Sequence, residues 1–493
     1  MTAAGQIGAG ENSSRRTLRL AAGSVLVCLI VLAPLNFGST RAGGPPLLAA
    51  GCVAAALLWA ASFLGGGLGP KVPLAAAGGA ALLTLAATPW ILHLVPPTIV
   101  APFTQAHFAR VVARWPYSVV WRTPAEALVL TLALAAATLV LIDLARSRAW
   151  ALTFSLALTL TAVAVALLAL LENYTHATGI YWRHDGRMPG NFCGTFYHHT
   201  AAGAYFNTAW PLALALTWLA WDRQRPLQPF PPLALIGAVA TILLLAAHAS
   251  HVSRFPQVAA LLVAPFLLRA LRPRALRRWG MVAGATAALI LLIAAAGRTA
   301  DIGARWKSVW DPPAAGSTPA RLPESAWPAL VRDDLFIPHT SQAGWFGDRG
   351  ESWRTALRSI AERPLTGHGP GNWMGAASRN TDDPFVRTFF QFLQFTHQDL
   401  LQFAVEWGLP ATLGWWGLLA GGIVVVLRAP QWRSPVHRQL AIAAACALAA
   451  VLLQAQIDFP LQIPAVTLNA VVLAALCWAG ATTPLAAAGK VHP

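Results

Sequence analysis

Apolar blocks separated by short charged turns run the length of the chain. Each block, built mainly from Ala, Leu and Val, is about 18 to 25 residues long, enough for a helix to cross a hydrocarbon layer of roughly 30 Å. The spacing predicts about twelve spans, at 18–36, 45–66, 73–95, 124–145, 149–171, 200–220, 231–249, 255–271, 279–297, 397–428, 436–456 and 463–482. The first block lacks a small-residue cleavage site and is followed at once by further spans, so it reads as a helix and not a cleaved leader. The expected fold class is an all-α polytopic membrane protein.

Composition agrees with that pattern. Of 493 residues, 56% are hydrophobic and 11% charged, whereas soluble domains carry about 25% charged residues. The net charge of +16, from 35 Lys+Arg against 19 Asp+Glu, raises the question of a nucleic-acid partner. About half of that basic charge, however, lies in short turns at alternating ends of the spans: Arg15, Arg16 and Arg19, then Lys71, Arg146 and Arg148, Arg223 and Arg225, Arg269 to Arg278, and Arg428 to Arg438. These are topology signals of the positive-inside kind, so no nucleic-acid partner is expected.

The resulting parity organises the chain into a cytoplasmic tail (1–17), a membrane domain of nine helices (18–297), an outer loop (298–396), three more membrane helices (397–482) and a cytoplasmic tail (483–493). Residues 298–345 show no clear period. An amphipathic helix is expected at about 350–363, with Trp353, Leu357 and Ile360 at helical spacing, Arg354 and Arg358 on a neighbouring face and Pro364 as its stop. The outer segments are unusually rich in arginine, which points to an anionic partner such as a lipid phosphate or diphosphate. Neutralisation by the loop acids is the bland alternative. Cys193 is alone among the outer segments, and no disulfide or CxxC metal pair is expected.

Four polar clusters fall at the outer ends of spans. THQDLLQFAVEWGLP (396–410) pairs Thr396 with Asp399 as a capping box, which would place His397 in the first turn of a helix, where the dipole favours a neutral ring fit to act as a base. Asp399, Gln402 and Glu406 then form a polar stripe, expected to face the bundle interior or a wet cavity. GRMPGNFCGTFYHHTAAGAYFN adds Arg187, Asn191, His198, His199 and Asn207; HASHVSRFPQ adds His248, His251, Ser253 and Arg254; QAQIDFPLQIP adds Gln454, Gln456, Asp458 and Gln462. One outward-facing lumen explains their common side. The paired histidines also admit a metal reading, which the absence of further ligands at helical spacing disfavours. The turn LTGHGPGNW carries Gly367, Gly369 and Gly371 and reads as a connector in preference to a phosphate cradle.

Taken in order, GTFYHHTAAGAY, SHVSRF, DRGESWRTALRSIAERPLTGHGPGNW, THQDLLQFAVEWGLP and DFPLQIPA resemble the O-antigen ligase and polymerase family of bacterial envelope proteins over about residues 187–465. The N-terminal APLNFGST turn is also similar. The resemblance implies a C-type glycosyltransferase-like membrane domain in the bacterial inner membrane, multi-pass, with one large periplasmic loop and its active site at the periplasmic face. It implies transfer of a glycan from undecaprenyl diphosphate, without a metal or other cofactor, to an acceptor on lipid A core, on protein or on a second lipid-linked glycan. The family histidine matches His397, with Gln398 where asparagine is usual. The arginine of its Ser-Arg motif matches Arg254, followed by Phe255 where glycine is common, and an arginine four residues before tryptophan matches Arg349. By this resemblance His397 is the base and Arg254 and Arg349 bind the diphosphate, with Asp399, Glu406, Asp458 and Arg187 as supporting candidates. His198 and His199 replace the usual asparagines, and no role passes to them. The alternative is a lipid-linked glycan flippase or transporter with a basic polar lumen. No internal repeat favours it.

Overall fold

The computed structural model describes residues 13–64, 69–93, 122–183, 193–222, 232–251, 253–271, 347–380 and 395–481. These residues fold as helices: α1 (Ser13–Leu35), α2 (Gly44–Ala61), α3 (Leu74–His93), α4 (Arg122–Ala145), α5 (Arg148–Tyr174), α6 (His199–Asp222), α7 (Pro232–Ser250), α8 (Arg254–Leu271), α9 (Gly347–Glu362), α10 (Trp373–Arg379), α11 (Asp399–Arg428), α12 (Pro435–Gln454) and α13 (Pro464–Gly480). Three short 3-10 turns, Phe37–Ser39, Ile180–Trp182 and Pro460–Gln462, join them, and no strand forms among the described residues.

Nine of the helices are long and apolar enough to cross a membrane. The chain is an all-helical polytopic membrane protein, as expected where no water is available to satisfy an open backbone. The expected span at 279–297 lies outside the described residues, as do Arg187, Asn191 and the irregular stretch 298–345. Two other expected spans fall on helices not among those nine: α6, and α13, which is only 17 residues long.

Helix α13 is the axis of the bundle. Every one of its residues is buried, against α4, α6, α11 and α12. Small residues allow this closeness. A Cβ on Gly480 would meet the Ala441 methyl at 2.6 Å, and Gly421 lies under the Trp478 ring. Where α3 crosses α11 the two backbones touch, because a Cβ on Gly414 would stand 2.7 Å from Leu83 N and 2.8 Å from Gly79 O.

The sequence pattern predicts one continuous span over 397–428. The structure breaks it at Gly408, whose φ of 79° and ψ of 168° are not helical. Pro410 supplies the physical reason: the Glu406 carbonyl would take its bond from residue 410, which has no N–H. The segment after α9 fills the gap. Gly369 N–H donates to the Glu406 carbonyl at 2.9 Å, His368 N–H to the Val405 carbonyl at 2.8 Å, and Leu409 N–H donates in turn to the Pro364 carbonyl at 2.7 Å. Trp90 of α3 donates its indole N–H to the Thr366 carbonyl at 2.9 Å. A strap of backbone from Pro364 to Asn372 therefore completes the hydrogen bonding of a broken membrane helix.

Helix α9 lies on this strap with an unexpected face inward. Its buried residues are the small Ser352, Thr355, Ala356 and Ser359, while Leu357 of the expected apolar stripe is 57% exposed. Close approach to the strap favours small side chains, and His368 fixes it by bonding its Nε2 to the Ser359 carbonyl at 2.8 Å.

A Cβ on Gly408 would collide with the Leu365 carbonyl and would need a left-handed backbone. Gly408→Ala is expected to destabilise the protein by about 2–4 kcal/mol. Gly417→Ala, on the same helix with nothing within 4 Å of its Cβ, is expected to change stability by less than about 1 kcal/mol. Unfolding of the two variants in detergent, followed by tryptophan fluorescence, checks both; equal stability would mean that the break is not sterically enforced.

Candidate active site

The start of α11 is built differently from the expected capping box. Gln398 is the N-cap, its Oε1 accepting from Leu401 N–H at 2.7 Å. Thr396 instead closes a local turn, accepting from Gln398 N–H at 3.1 Å and donating to the Gln398 carbonyl at 2.7 Å. His397 is thereby held before the helix and not in its first turn, in the left-handed region at φ 54°. That conformation costs a residue with a Cβ roughly 1–2 kcal/mol and persists where neighbouring bonds over-determine it. Here the Thr396–Gln398 bonds do so, and they project the ring away from the helix.

The ring of His397 keeps 26% of its side-chain surface accessible, and its Nδ1 stands 3.5 Å from Asp458 Oδ1. This is ion-pair range and longer than a short hydrogen bond, a separation common before a substrate is bound. Phe459 steers both groups. Its ring meets His397 edge-on at 4.9 Å and stacks on Phe395 at 4.4 Å, while its N–H donates to Asp458 Oδ1 at 3.0 Å. Asp458 is 3% exposed. Burial alone would raise its carboxyl, but the contact with His397 and the charges of Arg349 and His198 outweigh it and hold the group below the usual carboxylate range. Arg349, near the start of α9, is thus electrostatically coupled to the carboxylate behind His397.

The remaining polar clusters converge on the same place. His198 packs on Phe459 at 5.7 Å and stacks on His199 at 4.8 Å, and His199 lies close enough to His251 to disfavour its protonation. His251 sits in the α7–α8 turn that leads to Arg254, the half-buried first residue of α8. His397, Asp458, Arg349, His198 and the turn bearing Arg254 therefore gather at one end of the bundle. Among the described residues no three His, Cys, Asp or Glu side chains are grouped as a metal site.

Two of the supporting candidates, Asp399 and Glu406, are bonded within the fold. The stripe Asp399, Gln402 and Glu406 is buried at 1%, 2% and 4% exposure. Asp399 accepts from Leu461 N–H and Gln462 Nε2, each at 2.8 Å, tying α11 to the Pro460–Gln462 turn. Glu406 accepts from Gly371 N–H at 2.9 Å and Gln402 Nε2 at 3.1 Å, tying α11 to the strap. The N–H groups of Gly369 and Gly371 are accordingly spent inside the protein, and this turn is a connector. Arg187 lies outside the described residues. Sequence reasoning placed His198 and His199 on this side without a role and passed over Phe459, although an aromatic residue directly after an acid, in Asp458–Phe459–Pro460, was the available signal.

Chemically, the arrangement presents an imidazole with one accessible edge, a buried anion behind its other nitrogen, and guanidinium groups on two separate helices. Residues 237–416 match the family described as O-antigen ligase. The matched stretch holds His248, His251, Arg254, Arg349 and His397, and Asp458 lies beyond it. Among curated proteins, none matches the chain.

Ionised Asp458 makes the site's stability depend on pH with a definite sign. A carboxyl depressed in the folded state contributes stability that is complete above its unfolded value, near 4, and is lost as pH falls through the lower folded-state value. The difference in thermal midpoint between wild type and Asp458→Asn is expected to be constant from pH 7 to about 5 and to shrink below about 4. A difference independent of pH would mean that Asp458 is not ionised in the folded protein.

Proposed function

We propose, on the match of residues 237–416 to the O-antigen ligase family, that the chain transfers a glycan from undecaprenyl diphosphate to an acceptor hydroxyl, at the periplasmic face of the bacterial inner membrane. His397 takes the proton of the acceptor hydroxyl as the acceptor oxygen bonds to the anomeric carbon. The bond from that carbon to the diphosphate oxygen breaks and its electron pair leaves with the phosphate. Attack from the face opposite the leaving group inverts the anomeric configuration. The acceptor is lipid A core, a protein or a second lipid-linked glycan.

The observation that carries this reading is the pairing of a partly accessible His397 with buried Asp458 at 3.5 Å. A carboxylate on Nδ1 leaves Nε2 as the accepting nitrogen, holds the ring's orientation and stabilises the imidazolium that forms, without itself taking the proton. Arg254 and Arg349 bind the diphosphate and stabilise the negative charge that develops on it; a planar, permanently charged guanidinium suits two phosphates better than a mobile ammonium. No metal is required for this role, so activity is expected to survive chelation.

A transporter reading gains one observation, the interrupted helix α11, since broken helices mark many transport sites. The break is closed by backbone bonds to the Pro364–Asn372 strap, which suits a fixed site better than a moving gate.

Purified protein in liposomes, supplied with undecaprenyl diphosphate-linked repeat units and EDTA, tests the proposal. His397→Ala is expected to lower transfer by about 100- to 10,000-fold, and Arg254→Ala and Arg349→Ala by about 100- to 1,000-fold. Product length separates polymerisation from single transfer. Active variants, or lipid crossing the bilayer with no covalent product, would replace the enzyme by a transport path.

A further inference from the structure

The turn that presents Arg254 is braced by groups to which the proposed chemistry assigns nothing. Ser253 N–H donates to His251 Nδ1 at 3.2 Å. A backbone N–H is only a donor, so Nδ1 is the acceptor and the proton of a neutral His251 ring is on Nε2. That Nε2 lies 3.3 Å from His248 Nδ1, which fixes the second ring as acceptor there. The proton arrangement is therefore determined by geometry: Ser253 to His251, and His251 to His248. Burial first, then the neighbouring His248 and His199, holds the His251 imidazole well below its ordinary value, in keeping with a ring that is neutral when it does this work.

Packing supports the same turn from the other side. Gly203 of α6 is the space into which the His251 ring fits: a Cβ there would stand 2.7 Å from His251 Nε2 and 2.7 Å from the Pro256 ring. Asn207, one helical turn on, donates Nδ2 to the Pro256 carbonyl at 2.9 Å, and Gln257 donates Nε2 to the His251 carbonyl at 3.0 Å. The N-terminus of α8 is thus clamped to α6 and to the end of α7, within three residues of Arg254 on each side.

We propose that His251 is a positioning residue for Arg254: its Nδ1 bond to Ser253 N–H sets the turn, and so the place of the guanidinium on the lipid diphosphate. This rests on the reading of Arg254 given above. The bond spans residue i to residue i+2, as an Asx turn does. Asparagine at 251 can therefore repeat it through Oδ1, whereas glutamine, one methylene longer, and leucine cannot.

The test measures binding of undecaprenyl diphosphate in detergent, together with kcat and KM for the lipid-linked donor, in wild type, Arg254→Ala, His251→Leu, His251→Gln, His251→Asn and the double variant His251→Leu/Arg254→Ala. Thermal midpoints are taken alongside. His251→Leu and His251→Gln are expected to weaken diphosphate binding and lower kcat/KM by about 10- to 100-fold, the scale of an ångström's misplacement. His251→Asn is expected to restore most of both. In the Arg254→Ala background His251→Leu is expected to add no further loss, because the two act as a unit. If His251→Leu does not fold, the comparison of His251→Asn with His251→Gln decides alone. Wild-type binding in His251→Gln, equal loss in His251→Asn and His251→Gln, or full additivity in the double variant would overturn the inference. Wild-type binding and transfer in Arg254→Ala would instead remove the role of Arg254 itself, and the inference with it.

Discussion

A membrane helix that stops in the middle leaves backbone groups that lipid cannot satisfy, and the cost of each is several kcal/mol. At Gly408 and Pro410 this chain accepts such a break and repairs it with a second segment, Pro364–Asn372, whose N–H and carbonyl groups take the places that a continuous α11 would have filled. The repair has a geometric consequence. The strap follows directly on α9, which carries Arg349, and α11 begins just after His397. Two residues 48 positions apart in sequence are thereby attached to one rigid junction.

The same constraint explains how the buried carboxylates divide their tasks. Glu406 holds Gly371 N–H and Gln402, and Asp399 holds Leu461 N–H and Gln462, so both junctions of α11, with the strap and with the segment that carries Asp458, are closed by side-chain carboxyl groups that accept from backbone N–H groups. At the opposite end of α4, Asp143 does similar work, accepting from Trp59 Nε1 at 2.8 Å and Lys71 N–H at 2.9 Å and pairing with Arg19 at 2.7 Å. Replacing any of these would strand buried donors, a larger effect than the bond itself is worth.

Much of the fold was legible because hydrophobic length is a strong signal: a run of Ala, Leu and Val long enough to cross a bilayer has few other fates. The gathering of the polar clusters was legible too, since spans of alternating direction bring the ends at 198, 251, 397 and 458 to one side. Local bonding was less accessible. Thr396 and Asp399 have the spacing of a capping box, yet Gln398 caps the helix because Asp399 is claimed by Leu461 and Gln462, residues more than sixty positions away. The polar stripe was expected to face the bundle interior or a wet cavity, because periodicity identifies a face and not its neighbour; it is buried, with the strap against Glu406 and the Pro460–Gln462 turn against Asp399. The break at Gly408 was foreshadowed by Pro410, but a proline inside an apolar run kinks some membrane helices and interrupts others, and the choice depends on whether another segment can supply the missing donors.

A carboxyl group that accepts from a backbone N–H of another segment and from a glutamine amide cannot change partners without loosening what it holds. By that criterion Asp399 and Glu406 are fixed parts of the scaffold. Asp458 differs: its hydrogen bond to Phe459 N–H is local, and the His397 ring stands 3.5 Å away, close enough to shorten into a hydrogen bond when the ring gains charge. His397 in turn is held by Thr396 and Gln398 in a left-handed conformation that an unconstrained histidine would leave. An imidazole presented by a left-handed backbone beside a buried carboxylate is an arrangement suited to taking up a proton. Asp399, bonded to Leu461 and Gln462, joins the start of α11 to the segment that carries Asp458, and so links the two halves of that pair.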